Sequence, residues 1–281
     1  MSETLRVVHS TGYRYEGGAT SSYNEARMTP VSDREQSVLS ARLDITPAAW
    51  SHTYVDHWGT TVTGFEVHER HEELRVVSAS TVDVHRPRDR DQTASWDTLR
   101  SDRLQSDLAE YLTPRPLVAA ADELTGLVAE LAETAATPAD LVDAVHALVD
   151  GRVTYLPGVT SVKTTAAEVW LKGAGVCQDL SHLLIGALRV GGVPARYVSG
   201  YLVPDRSSAI GEPTSGESHA WVEYWVGSWV GLDPTNAGDV GDHHIVVGRG
   251  RDYSDVSPLR GIFTGGRAAT MDVEVVVTRL R

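Results

Sequence analysis

The chain has 281 residues, 41% of them apolar, a formal charge of −13 and a single cysteine. That length supports one large domain or two modest ones around a sizeable core, and one thiol excludes an intrachain disulfide or a thiolate-rich zinc site. Acidic and basic residues are interspersed without a Lys/Arg cluster, so a nucleic-acid partner is not expected and the acidity serves solubility.

No segment approaches the roughly 18 uninterrupted apolar residues of a membrane span. The start, MSETLRVVHSTGYRYE, lacks the basic-then-apolar layout of a secretory signal. The expectation is a cytoplasmic protein with no membrane partner and an unassigned oligomeric state.

From Leu5 to about His85 the sequence alternates in short runs separated by turn residues such as Gly17-Gly18, Pro30, Pro47 and Gly59. This predicts an antiparallel β region. The charged stretch RPRDRDQ at 86–92 reads as a linker. The expected division is an N-terminal β domain over 1–90 and a second domain over 91–281 that includes the C-terminal strands.

Helical spacing follows. Leu124, Leu127, Val128 and Leu131 form one stripe. Thr137 is placed to cap a second helix, with Pro138 at its first position, Asp140 in its first turn and Leu141, Val142, Val145, Leu148 and Val149 as the buried face. Thr165 and Glu168 have capping-box spacing for a third, which stops at Gly173-Ala174-Gly175. After Cys177, the apolar face Leu180, Leu183, Leu184, Ala187 and Leu188 runs to Gly191-Gly192. Beyond Pro194, ARYVSGYLV, HAWVEYWV, SWVGLDP, HIVVG and MDVEVVVTRL read as strands.

The segment GAGVCQDLSHLL places Cys177 where a Gly-rich turn enters a helix. The unpaired N–H groups and positive dipole end there favour a thiolate and could hold the oxygen of a tetrahedral intermediate. Read alone, a single cysteine in such a chain is a small buried hydrophobe. The context makes it a nucleophile.

His219, in ESHAWVEYWV, is the candidate base. Regular alternation puts His219, Trp221 and Glu223 on one strand face. A turn centred on Gly227 sets Asp233 opposite Trp221, one diagonal step from His219, whereas a two-residue turn at Gly227-Ser228 sends Asp233 to the other face. In the first case the three residues can divide a thiol acyl transfer: Cys177 attacks, His219 moves the proton and Asp233 orients the imidazole.

GVCQDLSHLL, GVPARYVSGY at 192–201, SHAWVEYWV and GLDPTN at 231–236 together resemble the bacterial transglutaminase-like superfamily. His219 follows Cys177 by 42 residues and Asp233 follows His219 by 14, which also fits. The β region and VVGRGRDYSDVSPLRGIF resemble the segments that flank this core. The resemblance implies an α+β, papain-like core, helix carrying Cys177 packed on an antiparallel sheet, with a Cys177-His219-Asp233 triad. It also implies cysteine-dependent acyl transfer or hydrolysis on peptide or protein carboxamides; no metal or cofactor is expected. The alternative is a non-catalytic binding module on the same fold.

Other residues are set aside. Gln178 and Asp179 directly follow Cys177; Asp179 reads as a helix-dipole partner, and His182 as a packing histidine. Tyr155 reads as a core tyrosine rather than an oxyanion donor, and Trp170, Trp221 and Trp225 as core rather than cleft wall. His68, His71, His243 and His244 lack the spacing of a zinc hydrolase and read as solvated strand ends. The polar connection 205–217 is either a cleft lip or a plain loop.

Overall fold

A computed structural model describes residues 3–86, 93–203, 209–236 and 238–281. Five strands come first: β1 (Glu3–Ala26), β2 (Gln36–Thr46), β3 (Trp50–Val55), β4 (Thr61–Val67) and β5 (His71–Val84). The alternating burial along β5 is that of a strand covered on one face. The middle of the chain carries α1 (Trp96–Arg100), α2 (Asp102–Asp107), α3 (Asp122–Thr134), α4 (Pro138–Arg152), β6 (Thr154–Tyr155), α5 (Ala166–Lys172), β7 (Ala174–Gly175) and α6 (Cys177–Val190). Then follow β8 (Ala195–Leu202), β9 (Pro213–Ser215), β10 (Glu217–Trp225), β11 (Trp229–Asp233), β12 (Gly238–Asp239), β13 (His244–Gly250), α7 (Tyr253–Val256) and β14 (Leu259–Arg279).

The caps lie where the sequence puts them. Thr137 accepts from the N–H of Asp140, whose carboxylate accepts from the N–H of Thr137; Thr165 and Glu168 form the same reciprocal pair. Helix α6 is apolar enough to be buried on almost every side, with Leu183, Leu184, Ile185, Ala187 and Leu188 fully enclosed. One face packs on β10 and β8 through Ala220, Val222, Tyr224 and Tyr197. The sheet beneath it is antiparallel, in the order β12-β11-β10-β8-β13. This is the α+β arrangement expected, a cysteine-bearing helix on an antiparallel sheet preceded by a β domain.

The first sheet has the path β2-β5-β1-β14-β9, with β4 also on β1 and β3 on β4. Sequence reading groups the last strand with residues 91–281. In the structure β14 pairs with β1 from Leu5↔Arg279 to Ala26↔Leu259, so the chain ends inside the sheet with which it began. Only tertiary pairing shows this, because MDVEVVVTRL suits either sheet.

The two sheets share a core. Leu5, Val7, Val82, Val84, Val275 and Val277 of the first pack against Tyr201, Ile245 and Val247 of the second. Gln36, fully buried, clamps them: its Nε2 donates to the carbonyls of Val31 and Val246 (2.6 and 2.8 Å), and its Oε1 accepts from the N–H of Val246 (2.8 Å). Most of the expected linker, residues 87–92, lies outside the described residues. Its first residue is anchored: the Arg86 guanidinium donates to Glu35 (3.0 Å) and to the carbonyls of Gly241 and His244 (2.6 Å each).

Close packing around α6 leaves no room at Gly186, where an added Cβ would stand 1.9 Å from the carbonyl oxygen of Val118. That contact is with backbone and cannot be relieved by a rotamer. Gly186→Ala is therefore expected to destabilise the fold by about 1–3 kcal/mol through overpacking. Urea unfolding should show a lower midpoint with an unchanged m-value.

Candidate functional site

Three segments converge near the N-terminus of α6. Asp179, buried in the first turn, accepts from the N–H of Val176 (2.8 Å) and from the Thr160 hydroxyl (2.6 Å). Burial raises its pKa, although these hydrogen bonds pull the other way. A Cβ on Gly175 would stand 2.7 Å from that of Asp179, so glycine at 175 lets the carboxylate fold back over the helix entry. Asp179 is thus structural, as expected. It fixes the turn that carries Cys177, the first residue of α6, which is partly exposed. The N–H groups at such a helix start have no intrahelical acceptor.

The β10–β11 turn decides where Asp233 lies. Trp225 pairs with Trp229, Tyr224 with Val230 and Val222 with Leu232, which is the register of a turn centred on Gly227. Asp233 therefore falls on the face of His219, and its Oδ2 accepts from Nε2 of that imidazole at 2.8 Å. His219 stacks on Trp221, with ring planes 26° apart. Glu223, two residues further along the same face, is held between Arg196 (2.6 Å) and Arg249 (2.9 Å).

Asp233 is fully buried and richly donated to. Oδ1 accepts from the N–H of Thr235 (2.9 Å), and Oδ2 also accepts from the Asn236 amide (3.1 Å) and from Nε2 of His244 (3.1 Å). Burial alone would raise the pKa of this carboxyl, but the two imidazole hydrogen bonds and the His219 charge outweigh it and hold it well below the usual carboxylate range. Burial likewise opposes charge on His219. Hydrogen bonds to Asp233 and Cys177, with the charges of both, prevail and raise its pKa to about 10.

His244 was expected at a solvated strand end. It is fully buried at the start of β13, and its Nδ1 accepts from the N–H of Gly241 (3.2 Å). Its Nε2 must then carry the proton given to Asp233, and burial lowers its pKa so that the ring is neutral. The donor atoms of His219, Asp233 and His244 lie within 4.8 Å of one another, close enough in type and spacing for a cation. As assembled they form a hydrogen-bonded cluster, with both Nε2 atoms committed to one carboxylate oxygen. The Cys177 sulfur is not part of that cluster.

Cys177 and His219 line one cavity of about 280 Å³, with Gln178, Tyr197 and Tyr253 from the second unit and His9, Thr11, Met271 and Val273 from the first sheet. Gln178, set aside as a neighbour, is on its wall. Tyr155 is not in the core: it is 46% exposed and outside this lining, although burial and the Cys177 charge both raise its pKa. His182 is the packing histidine expected, buried against Tyr197 and accepting from the N–H of Tyr253 (3.1 Å). Trp170 and Trp221 are core, and Trp225 packs against it. His68 is exposed beside Glu66, whereas His71 is buried and bonded to Ser22 (3.3 Å), correcting its reading as a solvated end. Residues 205–208 of the 205–217 connection lie outside the described residues, and Pro213–Ser215 pairs with β14 instead of lining the cavity.

A buried carboxylate on a histidine, facing a cavity with a cysteine at a helix tip, on an α+β fold of this topology, is the arrangement of papain-like proteins. Residues 125–234 match the model of the transglutaminase-like superfamily, and residues 5–83 match the bacterial transglutaminase-like N-terminal region. The chain belongs to the transglutaminase-like superfamily. It is 40% identical to the uncharacterized protein ML0607 of Mycobacterium leprae, covering 98% of this chain and 99% of that one. It is 38% identical to the uncharacterized protein Rv2569c of Mycobacterium tuberculosis, covering 97% and 91%. A solved structure of a candidate cysteine protease from Cytophaga hutchinsonii, 20% identical, has the same fold, with a TM-score of 0.79 over 100% of this chain and 92% of that one.

The shifts set a pH window. His219, raised above its ordinary 6.5, lends stability that is full below 6.5 and lost as pH climbs through about 10. Asp233, depressed below its ordinary 3.8, lends stability present above 3.8 and lost as pH falls below that value. Asp233→Asn should therefore cost most between pH 3.8 and 6.5, by about 3–5 kcal/mol as for a broken buried pair. The difference from the parent protein should shrink on either side, as read by urea unfolding across pH.

Proposed function

We propose that this protein carries out cysteine-dependent acyl transfer or hydrolysis on peptide or protein carboxamides, with Cys177 as nucleophile, His219 as acid–base and Asp233 as its orienting carboxylate. The observation that supports the reading is that the His219 imidazole, held at Nε2 by Asp233, lines the same cavity as Cys177.

In this reading the thiol proton already rests on His219, whose imidazole is charged, and Sγ attacks the carboxamide carbon, forming the S–C bond and placing negative charge on the carbonyl oxygen. The N–H groups at the start of α6 receive that oxygen. Collapse breaks the C–N bond, and His219 returns the proton to the departing amine. The thioester is then cleaved by water, giving an acid, or by a second amine, giving a new amide; His219 accepts the proton of the incoming group and passes it back to the sulfur. Asp233 keeps the ring in the orientation needed at both stages and supports its charge throughout. His244 and the Thr235 N–H hold that carboxylate still.

Incubation with a library of glutamine-containing peptides, with and without a primary amine, should give ammonia release, peptide cleavage or amine incorporation, read by mass. Cys177→Ala should abolish these products, and His219→Ala should slow both turnover and iodoacetamide capture of Cys177 by about 100-fold or more, the scale of general acid–base assistance. Iodoacetamide capture no faster than that of a free thiol, together with no product, would favour a non-catalytic module.

A further inference from the structure

His9 belongs to β1, where it lies opposite Ser78 on one neighbour and Val275 on the other. Its side chain is 2% exposed, yet it forms part of the wall of the cavity that holds Cys177 and His219. Nδ1 lies 3.0 Å from the Tyr201 hydroxyl. That hydroxyl donates its one hydrogen to the carbonyl of Met28 (3.0 Å), so toward His9 it can only accept, and Nδ1 must carry a proton. Burial lowers the pKa of the ring to about 4, so at neutral pH it holds a single proton and Nε2 is a bare lone pair.

Nε2 has no hydrogen-bond partner among the described residues, unlike most buried polar atoms. His9 lines the cavity whereas Tyr201 does not, and Nε2 is the ring nitrogen that Tyr201 leaves unengaged. The same cavity is lined by Thr11, Met271, Val273 and Leu259, which bring no charge. An uncharged acceptor with mostly apolar neighbours suits a neutral N–H donor. A carboxylate or ester oxygen would set lone pair against lone pair, and an ammonium would find no counter-charge there.

We infer that His9 is a recognition residue of the cleft, its Nε2 accepting a hydrogen bond from an N–H of an uncharged amide substrate. The β domain then supplies part of the substrate site rather than only support. This inference deepens the acyl-transfer reading of Cys177, His219 and Asp233 and rests on it.

The test needs no knowledge of the natural substrate. The full chain is alkylated at Cys177 with iodoacetamide and methyl iodoacetate, and with the longer pair iodoacetylglycinamide and iodoacetylglycine methyl ester. All rates are divided by those for N-acetylcysteine. Each pair differs in its terminal N–H donors and not in charge. In at least one pair the parent protein should favour the amide by about five- to tenfold, the scale of one net hydrogen bond. His9→Phe should bring the ratio to about one, and His9→Gln, whose amide oxygen can accept, should restore part of it.

Equal normalised rates in the parent protein for both pairs overturn the inference, even if His9→Phe does not fold. So does an amide preference that survives His9→Phe. Failure of the underlying reading looks different: Cys177 then reacts no faster than N-acetylcysteine with any reagent, and His219→Ala changes nothing.

Discussion

The site depends on one buried carboxylate. Asp233 leaves water and is compensated by N–H donors from His219, His244, Asn236 and the backbone of Thr235. An isolated buried charge would cost several kcal/mol and protonate instead. Four donors from two strands and a turn keep it ionised, and an ionised Asp233 is what holds a charged imidazole at His219. The order of β11, β10, β8 and β13 in the second sheet brings these donors together.

That sheet is itself steadied from the other domain. Gln36 bonds both polar groups of Val246, Arg86 bonds the carbonyl of His244, and Arg249 bridges Glu223 to Asp33 (2.9 Å). With the shared apolar core, these ties fix β13, and so His244, relative to Asp233. The same packing brings β1 and β14 to the cavity, where the first sheet forms one wall. The β domain is thus part of the site's physical chemistry, because a hydrogen bond that orients an imidazole tolerates little movement of the strand behind it.

Much of the local structure could be read from sequence. Thr137 and Thr165 announce their helices because capping is settled within four residues. Cys177 stands out because a glycine turn entering an apolar helix is a local pattern, and His219 because it opens an alternating strand. Asp233 was legible only up to a choice between two turns, since a one-residue change of register reverses the face. His244 and His71 were misread: a histidine beside a turn looks solvated until a partner strand buries it. A useful signal for His244 was the apolar run IVVG directly after it, which marks a central strand.

The sequence by itself determined the alternating strands, the capped helices and the helix that presents Cys177, because helix caps, hydrophobic period and turn residues act over a few positions. Tertiary structure alone decided that β14 returns to β1, that Asp233 is shared by two imidazoles and that His9 reaches the cavity of Cys177. The physical reason is that a strand's partner, and the burial of any side chain on it, is fixed by which distant segments pack together, and no window of neighbouring residues carries that information.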